Sequence, residues 1–184
     1  MTVLPLTRSN SPSQASAILK KEEEGEKIYP YLCFGFKMED RFAYISDVSH
    51  IPEDIWPILE PRITEEGRVE RLPLLIMDCL RLRPHTSHNG LEQAMMMSRR
   101  VGASKTYLTG FSHEVSHEEY VKLGEIIGGA PYDEELLSEN EREGLKLIGS
   151  GEDMWLRPAH DGLRITVRVG RDGHVEKIED ETYS

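Results

Sequence analysis

A chain of 184 residues with 38% hydrophobic and 30% charged residues has the size and balance of one globular domain with a real core, which excludes a fibre, a tail or a solenoid. Its formal net charge of −11 excludes nucleic-acid binding through a basic face, because neutralising phosphates needs clustered Lys and Arg. No stretch approaches the roughly 20 apolar residues that span a bilayer, and Met1 to Asn10 lacks a signal-peptide core, so a cytoplasmic, membrane-free setting is expected.

In chain order, Thr2 to Leu6 reads as a strand that enters a long polar loop over residues 7–29, in which the Lys20 to Lys27 charge run is a solvated surface. Tyr31 to Lys37 and Phe42 to Ser46 flank Met38-Glu39-Asp40-Arg41, the pattern of two antiparallel strands joined by a tight turn. Cys33 and Cys79 each sit inside an apolar run and read as buried free thiols. Pro52-Glu53-Asp54 opens a short helix through Ile55, Trp56, Ile58 and Leu59 that Pro61 stops. Leu72 to Met77 is an unbroken aliphatic run ending in Asp78, which implies a central strand covered on both faces.

Gly90 to Val101 predicts an amphipathic helix capped by Asn89 or Ser87, with Met95, Met96 and Met97 as core. Thr106 to Thr109 is a short strand, Ser116 to Ile127 a helix with a Ser-His-Glu-Glu start, and Asp133 to Ile148 a polar helix. Leu163 to Val169 and Val175 to Ile178 form a hairpin around Arg171-Asp172-Gly173. The order is that of an α/β fold, α+β in stricter usage.

The polar residues that could carry chemistry follow strand ends, where open α/β sheets place their sites. Asp47 ends the Phe42 strand, Asp78 the Leu72 strand, and His113 follows the Thr106 strand, while His85 and His88 lie in the loop before the methionine helix. Carboxylates and imidazoles from several strand ends are how hydrolases hold divalent metals. Each also has a plainer reading. Asp47-Val-Ser-His50 could be a turn, His85 and His88 exposed loop residues, His117 a cap or surface residue, His160-Asp161-Gly162 a β-turn and His174 structural.

Taken together, Phe42-Ala-Tyr-Ile-Ser-Asp47-Val-Ser, Leu74-Leu-Ile-Met-Asp78-Cys79, His88-Asn-Gly-Leu-Glu-Gln, Thr106-Tyr-Leu-Thr109 with Ser112-His113, and Asp161-Gly162-Leu163 resemble the metallo-β-lactamase superfamily. The branch they are most similar to is the cyclic-phosphate phosphodiesterase of phosphonate breakdown and its fungal and plant relatives. The resemblance implies the C-terminal half of an αββα sandwich, with residues 1–184 as a single partial domain. It implies a divalent metal, zinc or manganese, and a small phosphodiester or related ester as substrate. On that likeness Asp47 is a bridging metal ligand, His113 the last metal-binding histidine, and His88 the histidine that contacts phosphate and protonates the leaving oxygen. Asp78, His85 and Asp161 then organise the surrounding shell and loops.

The family's His-x-His-x-Asp-His cluster is not in these 184 residues, and Thr7, Arg8, Ser9 and Asn10 stand where a metal-binding histidine would follow the first strand. Gly110 stands where the bacterial forms have histidine, in the Gly-Phe-Ser/Thr-His version of the plant and fungal branch. The expectation is therefore a hydrolase half-domain that is not competent alone. Its alternative is a catalytically dead remnant acting as an interaction protein. An uncovered apolar face is expected, filled in a homodimer or by pairing with an intact homologue.

Overall fold

The computed structural model describes residues 1–8, 31–85, 87–149, 151–171 and 173–183. Expectations for the loop beyond Arg8, including the Lys20 to Lys27 run, and for Asp172 in the last turn fall outside these residues.

Among the described residues, ten strands and four α-helices follow in the order β1 (Thr2–Arg8), β2 (Tyr31–Met38), β3 (Phe42–Ile45), α1 (Trp56–Leu59), β4 (Arg62–Ile63), β5 (Val69–Glu70), β6 (Leu74–Asp78), α2 (Leu91–Val101), β7 (Lys105–Thr109), α3 (His117–Ile127), α4 (Glu139–Ile148), β8 (Leu156–Pro158), β9 (Ile165–Val169) and β10 (Val175–Asp180). Six form one mixed sheet in the order β1-β2-β3-β6-β7-β8, and β4-β5 and β9-β10 are separate hairpins. The antiparallel β2–β3 turn is as expected, with Phe36 opposite Tyr44 and Met38 opposite Phe42. From β3 through β6, β7 and β8 every pairing is parallel. The carboxyl ends of those strands therefore share one edge, and helices connect them because parallel strands need long crossovers.

Alternation along the strands gives the sheet two unlike faces. Leu4, Leu6, Ala43, Ile45, Leu75, Met77 and Leu108 are buried in the main core. The helices cover them with Leu91, Ala94, Met95, Val101, Tyr120, Leu123 and Ile127, while Val48, Ile51, Ile55, Trp56 and Leu59 close the side below β3. Gly124 of α3 lies so close to β8 that a Cβ there would collide with the Leu156 carbonyl oxygen.

Among the described residues, the opposite face is covered at one end. There Tyr107 packs edge-on to Trp155 at 4.9 Å, Lys105 Nζ sits 4.5 Å over the same indole, and the Tyr107 hydroxyl donates to Asp180 Oδ2 at 2.5 Å. Asp180 is buried and also accepts from the backbone N–H groups of Thr182 and Tyr183. Burial works to raise the Asp180 carboxyl, but the hydrogen bonds from Tyr107, Tyr183 and Thr182 and the charge of Lys105 outweigh it and hold it below the ordinary aspartate range.

Several elements differ from expectation. β1 runs two residues into the expected loop because Thr7 and Arg8 keep pairing with β2. The helix after Pro52 is a single turn. The 133–148 segment divides into a 3-10 turn, Glu134–Leu136, and α4, because Ser138 and Glu141 form a reciprocal cap that starts a new helix. Met96 is exposed, so the methionine triplet gives the core Met95 with Met97 packed at its margin. The helix cap there is Gly90, not Ser87 or Asn89.

Gly124→Ala is expected to lower the melting temperature by several degrees, since overpacking costs about 1–3 kcal/mol against a helix-propensity gain of about 1 kcal/mol. A calorimetric rise would refute the close approach. Asp180 has a depressed folded pKa, so its stabilisation is fully present above the unfolded value of roughly 3.9 and is lost as pH falls through the folded one. Asp180→Asn should therefore melt below the wild type at pH 7, with the gap closing below about pH 4.

Candidate functional site

Among the described residues, one group of three potential metal ligands forms: Asp47, Asp78 and His88 each offer an atom within 4.8 Å of the others. It lies at the carboxyl edge of the parallel strands. β6 delivers Asp78 directly, as its last residue. Two residues beyond β3, the chain turns at Asp47 with φ of 55°, a left-handed conformation that side chains other than glycine rarely adopt. The loop that follows is pinned by buried Val48 and Ile51 and by the Trp56 indole N–H, which donates to the Ile51 carbonyl at 3.2 Å.

His88 reaches the cluster on a loop fastened at both ends. Cys79 N donates to Thr109 O and Leu80 N to Asn89 O, and His85 N donates to His88 O at 3.2 Å. At its far end Gly90 crosses Arg83 and Pro84 so closely that no Cβ fits, and its N–H is taken by Gln93 Oε1 at 3.0 Å. The loop also shields Asp78, whose residue is 1% exposed. Asp78 Oδ2 accepts from Asn89 N at 3.3 Å and faces His88 Nδ1 at 3.1 Å. Asp47 Oδ1 stands 3.6 Å from the same nitrogen, and its side chain is 60% exposed.

Burial pushes the Asp78 carboxyl above the ordinary range; the His88 ring and the Asn89 N–H pull against that, and the nearby Asp47 charge adds to it. Gly110, φ 82°, completes the wall: a Cβ would come within 2.9 Å of Asp78 Oδ1. The glycine is thus required both by its backbone conformation and by the room Asp78 needs.

The structure therefore gathers Asp47, Asp78 and His88 and leaves three other expected site residues outside the cluster. His113 is exposed in the turn after β7. His85 lies beside the site, its ring 6.0 Å from that of His88 and its Nδ1 3.3 Å from Ser87 Oγ. Asp161 is exposed in the turn after β8, its carbonyl 3.1 Å from His160 Nδ1. His117 follows the Ser116 cap, half-buried, with Nε2 2.8 Å from the Tyr183 hydroxyl; that hydroxyl donates to Pro158 O, so His117 is the donor. Sequence reasoning did not anticipate Asn89, whose backbone N–H rather than side chain meets Asp78. Nothing but the fold could have revealed it.

Cys79 is fully buried, and burial first, then the Asp78 charge, raises its thiol far beyond reactive range. No helix among the described residues is long and apolar enough to cross a membrane.

No protein-family model matches the sequence, and no curated protein matches it. Among solved structures the chain is similar to a diphosphatase of the PhnP family, at 22% identity and a TM-score of 0.44, over 87% of this chain and 41% of that one. It is also similar to the metallo-β-lactamase fold protein YhfI from Bacillus subtilis, at 16% identity and a TM-score of 0.41, over 88% of this chain and 47% of that one. The chain spans less than half the length of either.

The left-handed backbone at Asp47 separates a turn residue from a site residue. Asp47→Gly is expected to leave the melting temperature unchanged or raise it, by up to about 1 kcal/mol in stability, because glycine adopts this conformation without the steric cost. A pronounced loss of stability would make Asp47 a structural turn residue.

Proposed function

We propose that the protein is a metal-dependent hydrolase of the metallo-β-lactamase superfamily, of phosphodiester or cyclic-phosphate type, whose 184 residues supply part of the donor set. The observation that supports this reading best is the convergence of Asp47, Asp78 and His88 at the carboxyl edge of parallel strands. Two carboxylates and an imidazole suit a hard-to-borderline divalent ion such as zinc or manganese. Asp47, the exposed member, would hold it, and such an ion supplies Lewis acidity and an activated water when bound.

The protein's own groups divide the remaining work. The buried Asp78 carboxylate accepts from His88 Nδ1–H, which fixes the ring orientation and leaves Nε2 as the nitrogen that passes a proton to the leaving oxygen. The Asn89 N–H holds Asp78 in place for that task. His88 cannot at once donate Nδ1–H to Asp78 and ligate an ion through Nδ1, and the 3.1 Å hydrogen bond favours the first role. No His-x-His pair occurs among the seven histidines, and a catalytic zinc site takes about three protein ligands with an open position. The reading is therefore of weak ion binding and low turnover by this chain alone. The open apolar face of β1–β3 favours a second reading, an interaction protein built on the same fold.

Titration of the purified chain with manganese or zinc tests the first reading. The expected result is about one ion bound, with affinity lowered roughly 10- to 100-fold in Asp47→Asn and within about threefold of wild type in His88→Asn. With bis(p-nitrophenyl) phosphate, any turnover should fall about 100-fold or more in His88→Asn. No saturable binding would defeat the hydrolase reading. Equal loss of affinity in both variants would make His88 a ligand instead of a proton donor.

A further inference from the structure

His85 lies beside the cluster without joining it, and its ring is held in one tautomer. The Ser87 backbone N–H donates to His85 Nδ1 at 3.5 Å, and the Ser87 hydroxyl stands 3.3 Å from the same nitrogen. A backbone N–H can only donate, so Nδ1 carries the lone pair and the proton of the neutral ring sits on Nε2. Ser87 is buried, and His85 N donates to His88 O at 3.2 Å, which ties the two histidines together through the backbone. His88 is set the other way: its Nδ1–H goes to Asp78, which leaves Nε2 bare in the neutral ring. The imidazoles of His85-x-x-His88 therefore offer opposite chemistry. One presents an N–H that it keeps, the other a nitrogen that takes up and gives up a proton.

We propose that His85 is a substrate-binding residue of this site, whose Nε2–H donates to a non-bridging oxygen of a phosphoester held against His88. The proposal rests on the hydrolase reading above and narrows its substrate class to phosphoesters. Three observations support it. The first is the supply of donors. Beside the carboxylates of Asp47 and Asp78 an anionic substrate needs N–H groups, yet His88 Nδ1–H and Asn89 N–H are both taken by Asp78, and Gly90 N–H by Gln93 Oε1. His85 Nε2 has no partner among the described residues.

The second is spacing. The ring centroids are 6.0 Å apart, too far for the rings to bond each other, and hydrogen bonds of about 2.8 Å from each suit one small group that carries several oxygens. The third is exposure. Ser87, Asn89 and Gly90 are buried while His85 and His88 are half-buried, so this loop turns its two imidazoles to the solvent. A phosphodiester carries its negative charge on the non-bridging oxygens, so a bond from His85 is charge-assisted before any reaction begins. A neutral carboxylic ester has no such charge in its ground state. His85 thus contributes to binding and His88 to proton transfer.

Two-bond proton–nitrogen NMR spectra of the histidine side chains, assigned with His85→Ala and His88→Asn, test the proposal at about pH 8, where an imidazole free in water is neutral. His85 should show the Nε2–H form. Inorganic phosphate, titrated against chloride at equal ionic strength, should shift His85 and His88 along one saturation curve, and acetate should not. His85→Ala should weaken phosphate binding about tenfold or more, while His85→Gln, which keeps an N–H at similar reach, should stay within about threefold of wild type. An Nδ1–H form at His85, a phosphate response confined to His88, an equal response to acetate or equal losses in the two variants would overturn the proposal. Absence of saturable phosphate binding would overturn it too. Disturbance of His88 by His85→Ala before phosphate is added would make His85 a loop-fastening residue instead. Ion titration is a separate readout: ion binding that depends on Asp47, without a His85 response to phosphate, leaves the hydrolase reading standing.

Discussion

The buried Asp78 carboxyl is the constraint around which the rest of the site is arranged. A carboxylate at 1% exposure is costly unless its oxygens are met. The chain meets them with groups from the loop that leaves β6: the Asn89 N–H and the His88 ring. That in turn goes with the return of the chain after β6, with Leu80 N donating to Asn89 O and Leu91 N to Arg81 O and Leu82 O. It also dictates what the neighbouring strand ends in, since only glycine at position 110 leaves Asp78 Oδ1 its space. One buried charge thus fixes the position of His88, the course of the loop and the residue type after β7.

The remaining architecture presents that edge. Parallel pairing of β3, β6 and β7 brings Asp47 and Asp78 to one side. Their spacing is maintained by the core between the sheet and the helices. Asp47 departs from the general pattern of satisfied geometry, with a left-handed backbone and an exposed carboxylate. Its strained backbone thus stands beside an otherwise well-fastened loop.

Much of this was legible in the amino-acid order because strand type and strand ending are local signals. The unalternating Leu72 to Met77 run announced a strand covered on both faces, and the aspartates that ended two strands announced the site edge. Asp78 and His88 were both selected, though their hydrogen bond spans ten residues and depends on the loop crossing at Gly90. His113 resembled a ligand by motif, but the turn after Gly110 leaves it exposed and outside the cluster. β8 and the β4–β5 hairpin are too short to carry a periodic signal. The Asp133 to Ile148 segment was expected as one helix, but the reciprocal bonds of Ser138 and Glu141 start a new one and divide it into two elements.

The two incomplete features of the molecule meet at β3. This strand contributes Tyr44 to the open apolar face, and Asp47, the most exposed member of the cluster, lies just beyond its end. Burial of the exposed apolar side chains would gain roughly 25 cal/mol for each Å² removed from water, while a carboxylate attracts a cation more strongly the lower the dielectric around it, so the apolar and the electrostatic demands of the molecule fall on neighbouring stretches of one strand and its end.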